Sequence, residues 1–425
     1  MKKQKRTEVL AIFATYFCIH SFNGLNSPFF PLFLEDMGFD VSARGLLLAV
    51  GPVIAILAQP IWGRAGDRAK NKSSVLHLMA AGMILVTLVF LASCNDSVRA
   101  VFSSMSDGTF TLLFVLTGIL LYYSFQPPMQ PMADTITMEY IYEKQPWFSY
   151  GVVRATGTIA FAIMSYAGGL IIQRSSMGTA MMFPIQMVIA VLMVIALFGL
   201  PVMPGKSQKQ DKAPASELFR DPWFVVILLM ALTTASTMGF YVGHFSTYLR
   251  GQLHAGEGII GLNGAISAVL EIVLFFCTHK IMRKTGILNL MIIDMSMVTL
   301  HWLIFSFTSS IPVILVVQFL TQPFSWAIFS YTLTVFVQRA VDERMHARAQ
   351  AILNGIALSI GRFIGALGGS ALINLFGEEH QQRVFLTISI VCFTVLCAAV
   401  CFFLKHGWRP NREPERLALH DGDAV

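Results

Sequence analysis

Charge is scarce in this chain. Of its 425 residues only 13% are Asp, Glu, Lys or Arg, where soluble domains carry about 25%. That deficit excludes an ordinary soluble domain. A hydrophobic share of 55% and a mean hydropathy of +0.65 point to a polytopic membrane protein. Cysteine is sparse too. Six are scattered without a CxxC pair, five of them (Cys18, Cys277, Cys392, Cys397, Cys401) inside apolar runs, so free buried thiols are expected and no metal site. There is no HExxH, no intramembrane Asp pair with protease spacing and no Ser/His arrangement. A membrane enzyme is therefore not expected, nor a cofactor. Neither extramembrane segment is long enough to fold a signalling domain, which counts against a sensor. The formal charge of +6 does not indicate nucleic-acid binding, because no basic patch is interleaved with aromatics.

What is present is a series of apolar runs. They fall near 8–34, 45–62, 73–93, 109–138, 149–172 and 178–200, then near 222–250, 258–279, 286–306, 310–338, 348–374 and 382–404. A span needs about 20 apolar residues, so the runs predict an all-α membrane protein of twelve transmembrane helices. The first run begins like a signal peptide but is too long and lacks a small-residue cleavage site, so it is read as a retained helix. With both termini placed in the cytoplasm of a cell-membrane protein, 23 of the 30 Lys and Arg fall on that side. Such a bias is topogenic. The stretch 201–221, PVMPGKSQKQDKAPASELFRD, has linker composition. It divides the chain into bundles at 1–200 and 222–404, followed by a polar tail at 405–425 read as disordered. The halves look like repeats. RATGTIAFAIMSYAGGLI (154–171) and NGIALSIGRFIGALGGSALI (354–373) share their spacing to a Gly-Gly pair, an offset of 200. Parallel six-helix repeats are a transporter pattern.

Two motifs carry a resemblance. GRAGDRAKNK (63–72) resembles the cytoplasmic signature of the major facilitator superfamily, with Gly63, Asp67, Arg68 and Lys72 in place and Lys70 where Gly is usual. Here Gly63 would let helices approach and Asp67 would pair across the seam in one state, so Gly63, Asp67 and Arg68 are the expected gating motif. YGVVRATG (Tyr150, Gly151, Arg154, Gly157), preceded by PMADTIT with Asp134, is similar to the branch holding the phenylpropionate permease and the oligosaccharide– and nucleoside–proton symporters. The lactose permease has a similar aromatic-Gly-x-x-Arg-x-x-Gly in its fifth helix, where that Arg and a fourth-helix carboxylate hold the sugar. The resemblance, which covers the chain to about residue 404, implies two six-helix pseudo-repeats, alternating access and Arg154 with Asp134 as the substrate pair. Where many relatives place His in the tenth helix, this chain has Thr321 and Gln322.

The residues themselves give polar stripes at spacings of three or four, which share a helix face. They are His20, Asn23 and Ser27; Gln126, Gln130 and Asp134; Thr233, Thr237, Tyr241 and His244; Asn263, Ser267 and Glu271; Gln318, Thr321, Gln322 and Ser325; and Asn354 with Arg362. A charge at the bilayer centre costs roughly 2.5–3.5 kcal/mol on insertion scales, so it faces a cavity or a partner. Arg154 offers a planar fork of donors for carboxylates or hydroxyls. Glu271, in the apolar run SAVLEIVLFF, suits a carboxyl group that takes up and releases a proton. Structural readings stand beside these. Arg154 with Asp134, and Glu271 with Arg362, would also serve as assembly pairs. His20 and His244 read first as core histidines, and Asp294 with His301 as structural groups on a peripheral ninth helix. Pro127, Pro128 and Pro131 are expected to bend the fourth helix.

The expected function is proton-coupled import of a small organic solute, a sugar, nucleoside or aromatic acid, by a monomer in the lipid bilayer. Asp134, Arg154, Asn23, Gln130, Tyr241 and Gln322 would bind the solute, and Glu271 would carry the proton with Arg362 beside it. Drug efflux by antiport is the alternative. Against it, YAGGLI lacks the proline of the exporters' fifth-helix motif. A non-transporting sensor is the reading from another class.

Overall fold

Lipid offers the backbone no hydrogen-bond partner, so a spanning chain must satisfy its own peptide groups, and a helix does so within one segment. The computed structural model describes residues 2–205, 215–342 and 345–406, and among them the chain holds helices and no strand. Much of the expected linker and nearly all of the polar tail lie outside the described residues, as does the side chain of Asn354.

We number the spanning elements α1 (Lys2–Asp36), α2 (Val41–Arg68), α3 (Lys72–Ser93), α4 (Asp107–Lys144), α5 (Tyr150–Arg174), α6 (Gly178–Leu197), α7 (Pro222–Gly251), α8 (Glu257–Thr285), α9 (Ile287–Phe307), α10 (311–340), α11 (346–376) and α12 (Gln381–His406). Among the described residues eleven are long and apolar enough to cross a membrane. The other, α10, is not the continuous helix expected over 310–338. It consists of Ile311–Pro323, a π turn at Phe324–Ile328, and Phe329–Ala340. π turns also interrupt α7 at Tyr241–Phe245 and α11 at Ala351–Ala357. Helix starts follow local chemistry. Asp40 caps α2 by accepting from the Ala43 N–H at 2.8 Å, and Asp221 caps α7 from Trp223 at 2.9 Å with Pro222 in the first turn. Gly286, at φ +79°, makes the turn from α8 to α9. The stretch SPFFPLF lies inside the protein, with Phe29, Phe30 and Phe33 all buried.

The two halves repeat in their packing. A Cβ on Gly24 (α1) would stand 2.6 Å from the Phe161 carbonyl oxygen (α5), and one on Gly239 (α7) 2.4 Å from that of Arg362 (α11). Across the halves, Gly45 (α2) meets the Ala366 carbonyl of α11, and Gly261 (α8) meets that of Ser165 on α5. Phe161 therefore matches Arg362, and Ser165 matches Ala366. The α5–α11 offset in packing is 201, one residue more than the Gly-Gly pairs give. The pattern in the sequence aligned two glycines, whereas packing aligns the residues that face a glycine on the neighbouring helix. Gly168 lies against Leu25 of α1, and its packing counterpart Gly369 lies against Phe240 of α7.

Contacts between the first six and last six helices gather at one end, which we call the far end. The Ser165 hydroxyl donates to the Gly261 carbonyl at 2.9 Å, Ser370 to Val41 at 2.9 Å, and the Gly258 N–H to Gln173 at 3.0 Å. Arg250 of α7 bridges Glu35 and Asp36 of α1. The opposite, linker end carries 63–72. There Gly63 has open space around it, and Asp67 and Arg68 are exposed. The helix approach expected at Gly63 is therefore absent from this conformation, because the halves meet at the far end. The 63–72 turn instead holds the start of the linker: the Lys72 N–H donates to the Met203 carbonyl at 2.8 Å, and the Gly205 N–H to that of Ala69 at 2.9 Å. The Lys72 ammonium, buried, pairs with Glu139 of α4 at 2.6 Å.

Candidate functional site

The fourth helix builds the first wall of the site. It runs unbroken from Asp107 to Lys144 with Pro127, Pro128 and Pro131 inside it. Pro128 has no N–H to give the Ser124 carbonyl one turn back. That carbonyl accepts instead from the Trp62 indole of α2 at 2.7 Å. The face thus held presents Gln126, Gln130 and Asp134.

Asp134 accepts from the Tyr16 hydroxyl of α1 at 2.6 Å and from the Gln130 amide at 2.7 Å, with Tyr150 of α5 also in reach. Gln130 in turn lies against His20. His20 Nε2 stands 2.6 Å from an Arg154 guanidinium nitrogen. Arginine has only donors, so His20 accepts at Nε2 and is the neutral imidazole. The result is a continuous polar line, Tyr16–Asp134–Gln130–His20–Arg154, across α1, α4 and α5. Arg154 and Asp134 do not meet directly. Asn23 closes the line from below, its carbonyl oxygen accepting from Gln126 at 2.8 Å and from the Tyr122 hydroxyl at 3.2 Å.

The second wall comes from α7, α8 and α10. The Tyr241 hydroxyl accepts from the Asn263 amide and from the Gln318 amide, each at 2.8 Å. Gln322, half-buried, shares a small crevice with Tyr241, Thr237, Ser325 and His301. Glu271, half-buried on α8, has Arg154 of α5 within electrostatic reach. Arg362 stands instead among Tyr122 and Tyr123 of α4. The expected neighbours Glu271 and Arg362 are therefore set apart. α8 packs on α5, whereas α11 packs on α2 and α7, so each charge faces the opposite half.

Tyr16 and Tyr150 were given no role from the sequence, although their spacing is legible. Tyr16, His20 and Asn23 lie at intervals of four and three on one face, and Tyr150 sits four before Arg154. His301 was placed on a peripheral helix, yet it is buried and bonds Thr321 of α10 at 2.6 Å. His244 is buried against the Ala366 carbonyl at 2.9 Å, where α7 crosses α11. Among the described residues no group of three His, Cys, Asp or Glu is placed to hold a metal ion.

Beside this architecture, the chain matches a known family model, described as "MFS_1 like family", over residues 9–403. The chain belongs to that family. It is a major facilitator superfamily transporter, a multi-pass membrane protein and not an enzyme. Relatives include the probable 3-phenylpropionic acid transporter of Escherichia coli (strain K12), 23% identical over 92% of this chain and 91% of its own. The maltose permease of Geobacillus stearothermophilus is also 23% identical, over 90% and 92%. Among solved structures, a mutant form of the nucleoside transporter NupG superposes with a TM-score of 0.79 at 16% identity, covering 93% of this chain and 99% of that one. That likeness concerns the fold alone.

Proposed function

We propose that this transporter imports a small organic solute together with a proton, by alternating access, as a monomer in the cell membrane. The solute belongs to the range its relatives' names span: a sugar, a nucleoside or an aromatic acid. Both termini and the linker end lie in the cytoplasm, in keeping with the Lys and Arg bias. Bundles at 1–200 and 222–404 rock about a central site, joined by the linker at 201–221. Gly63, Asp67 and Arg68 gate the inner side.

The observation that carries this reading is Glu271 on α8 facing Arg154 of α5 across the seam between halves. An ionised Glu271 draws the guanidinium toward the second half. A proton on Glu271 releases it, and the planar fork then turns to the solute beside Asp134, Gln130 and Asn23. Tyr241 and Gln322 meet the solute from the other wall. Proton and solute thus act on one arginine, and such a shared group couples two binding events. Arg362, among the α4 tyrosines, steadies the second seam.

The test is external alkalinisation in energy-depleted cells producing the protein, on adding disaccharides, nucleosides or phenylpropanoid acids one at a time. One class should raise external pH, and Arg154→Ala should abolish the rise. Silence with all three, at normal membrane levels, would sink the reading. Proton release from everted vesicles on adding lipophilic cations would put antiport efflux in its place.

A further inference from the structure

Between α7, α9 and α10 lies a crevice of about 10 Å³, lined by Thr237, Tyr241, His301, Trp302, Gln322 and Ser325 among others. That is about the room one oxygen atom needs. Its hydrogen bonds are incomplete in a specific way. The Thr321 hydroxyl has one hydrogen, and it goes to the Val317 carbonyl at 2.7 Å. His301 Nδ1, 2.6 Å from the same oxygen, must therefore be the donor. That leaves Nε2 as an acceptor, and it has no partner although His301 is only 2% exposed.

Tyr241 is the complement. Its oxygen receives two amide donors, from Asn263 and Gln318, which occupy its acceptor sites. Its own hydrogen is left to give. The two amides that hold it are nearly fully buried, and each keeps its carbonyl oxygen without a donor. The residues lining one oxygen-sized space thus include a tyrosine with one hydrogen to give and a histidine with one nitrogen to receive, and two further open acceptors belong to the amides bonded to that tyrosine. Buried acceptors left open this way are costly. A hydroxyl group, which both accepts and donates, completes the set, and a carboxylate does not, because it brings no hydrogen.

We infer that this crevice is a subsite for one hydroxyl of the transported solute, held by Tyr241 as donor and His301 as acceptor, so that the solute is a polyhydroxy compound of the sugar or nucleoside kind. The inference rests on the proposed importer reading and narrows its substrate class. A solute hydroxyl that displaces a water from such a space can keep equivalent bonds.

Trp302 lines the crevice and reports on it. The full-length protein in lipid nanodiscs is titrated with maltose, xanthosine and 3-phenylpropionate, following tryptophan emission. At least one of the two hydroxylated probes should alter the emission of the wild type and not that of Trp302→Phe, and 3-phenylpropionate should not. His301→Phe should weaken that probe's binding tenfold or more. Its deoxy analogues should include one that loses affinity similarly in the wild type and loses nothing further in His301→Phe, because a shared contact is removed only once. Tyr241→Phe repeats the test if His301→Phe does not elute as a folded protein. Equal binding by wild type and variant, binding by 3-phenylpropionate alone, or no response to either hydroxylated probe overturns the subsite; the last leaves only water in the crevice. Counterflow of the same probes in proteoliposomes separates the two claims. His301-dependent binding without counterflow overturns the importer and keeps the subsite, and counterflow indifferent to His301 does the reverse.

Discussion

In the proposed mechanism coupling turns on Glu271 and Arg154, and each has a discriminating substitution. Glu271→Gln keeps the shape and removes the proton site. Concentrative uptake should be lost while counterflow, which needs no net proton movement, continues; unchanged uphill uptake would remove Glu271 from the mechanism. Arg154→Lys keeps the charge but not the planar fork that reaches His20 at 2.6 Å and is left for the solute. Uptake should fall at least about tenfold, since a bidentate site does not accept an ammonium as an equivalent; uptake within twofold of wild type would argue that only charge matters there. At this scale the sequence was half legible. Spacing alone put Gln130 and Asp134 on one face. The bond from Arg154 to His20 joins residues 134 apart, and nothing local encodes it. For the same reason Glu271 and Arg362, expected as neighbours, turned out to face different helices of the first half, α5 and α4.

At the scale of elements, apolar run length located every span, because the lipid requirement is written in composition. Interruptions were not legible. The apolar runs that hold α7, α10 and α11 carry no sign of the π turns within them. The fourth helix shows the converse, three prolines inside a helix that continues. Its Ser124 carbonyl, freed by Pro128, depends on Trp62. Trp62→Phe keeps an aromatic side chain, though a smaller one, and deletes the donor, so the loss should be about 1–3 kcal/mol, read as a lower unfolding temperature in detergent; an unchanged temperature would mean that another donor replaces the indole. Helix contacts are equally exacting at Gly365. A Cβ there would stand 1.9 Å from the Ser236 carbonyl oxygen, and backbone cannot move aside as a flexible side chain does. Gly365→Ala should cost about 1–3 kcal/mol as overpacking, seen in the same melt.

The whole molecule is closed at the far end by few polar groups, and in the proposed alternation their arrangement sets the balance. Glu35 is shared: it pairs with Arg44 of its own half at 2.9 Å and with Arg250 of the other. Asp36 adds a second bond to Arg250 at 2.9 Å and accepts from Thr179 at 2.5 Å. The Arg44 pair survives opening, because both partners move together, whereas the Arg250 pairs must break. Arg250 therefore biases the balance between the two ends without touching the central site. Its partners are partly exposed, with Glu35 at 30%, so the bias is modest and screened by salt. In a cysteine-free background Ser165→Cys buries a thiol in the α5–α8 contact, where the native residue is fully enclosed. Arg250→Gln should raise labelling of that thiol by an impermeant maleimide from outside about three- to tenfold, the shift expected from losing a partly screened pair in a two-state balance. High salt should raise labelling in the parent and add little in the variant. Labelling that ignores both would mean the far end is closed by its glycine contacts alone, with the ion pairs following the motion rather than setting it.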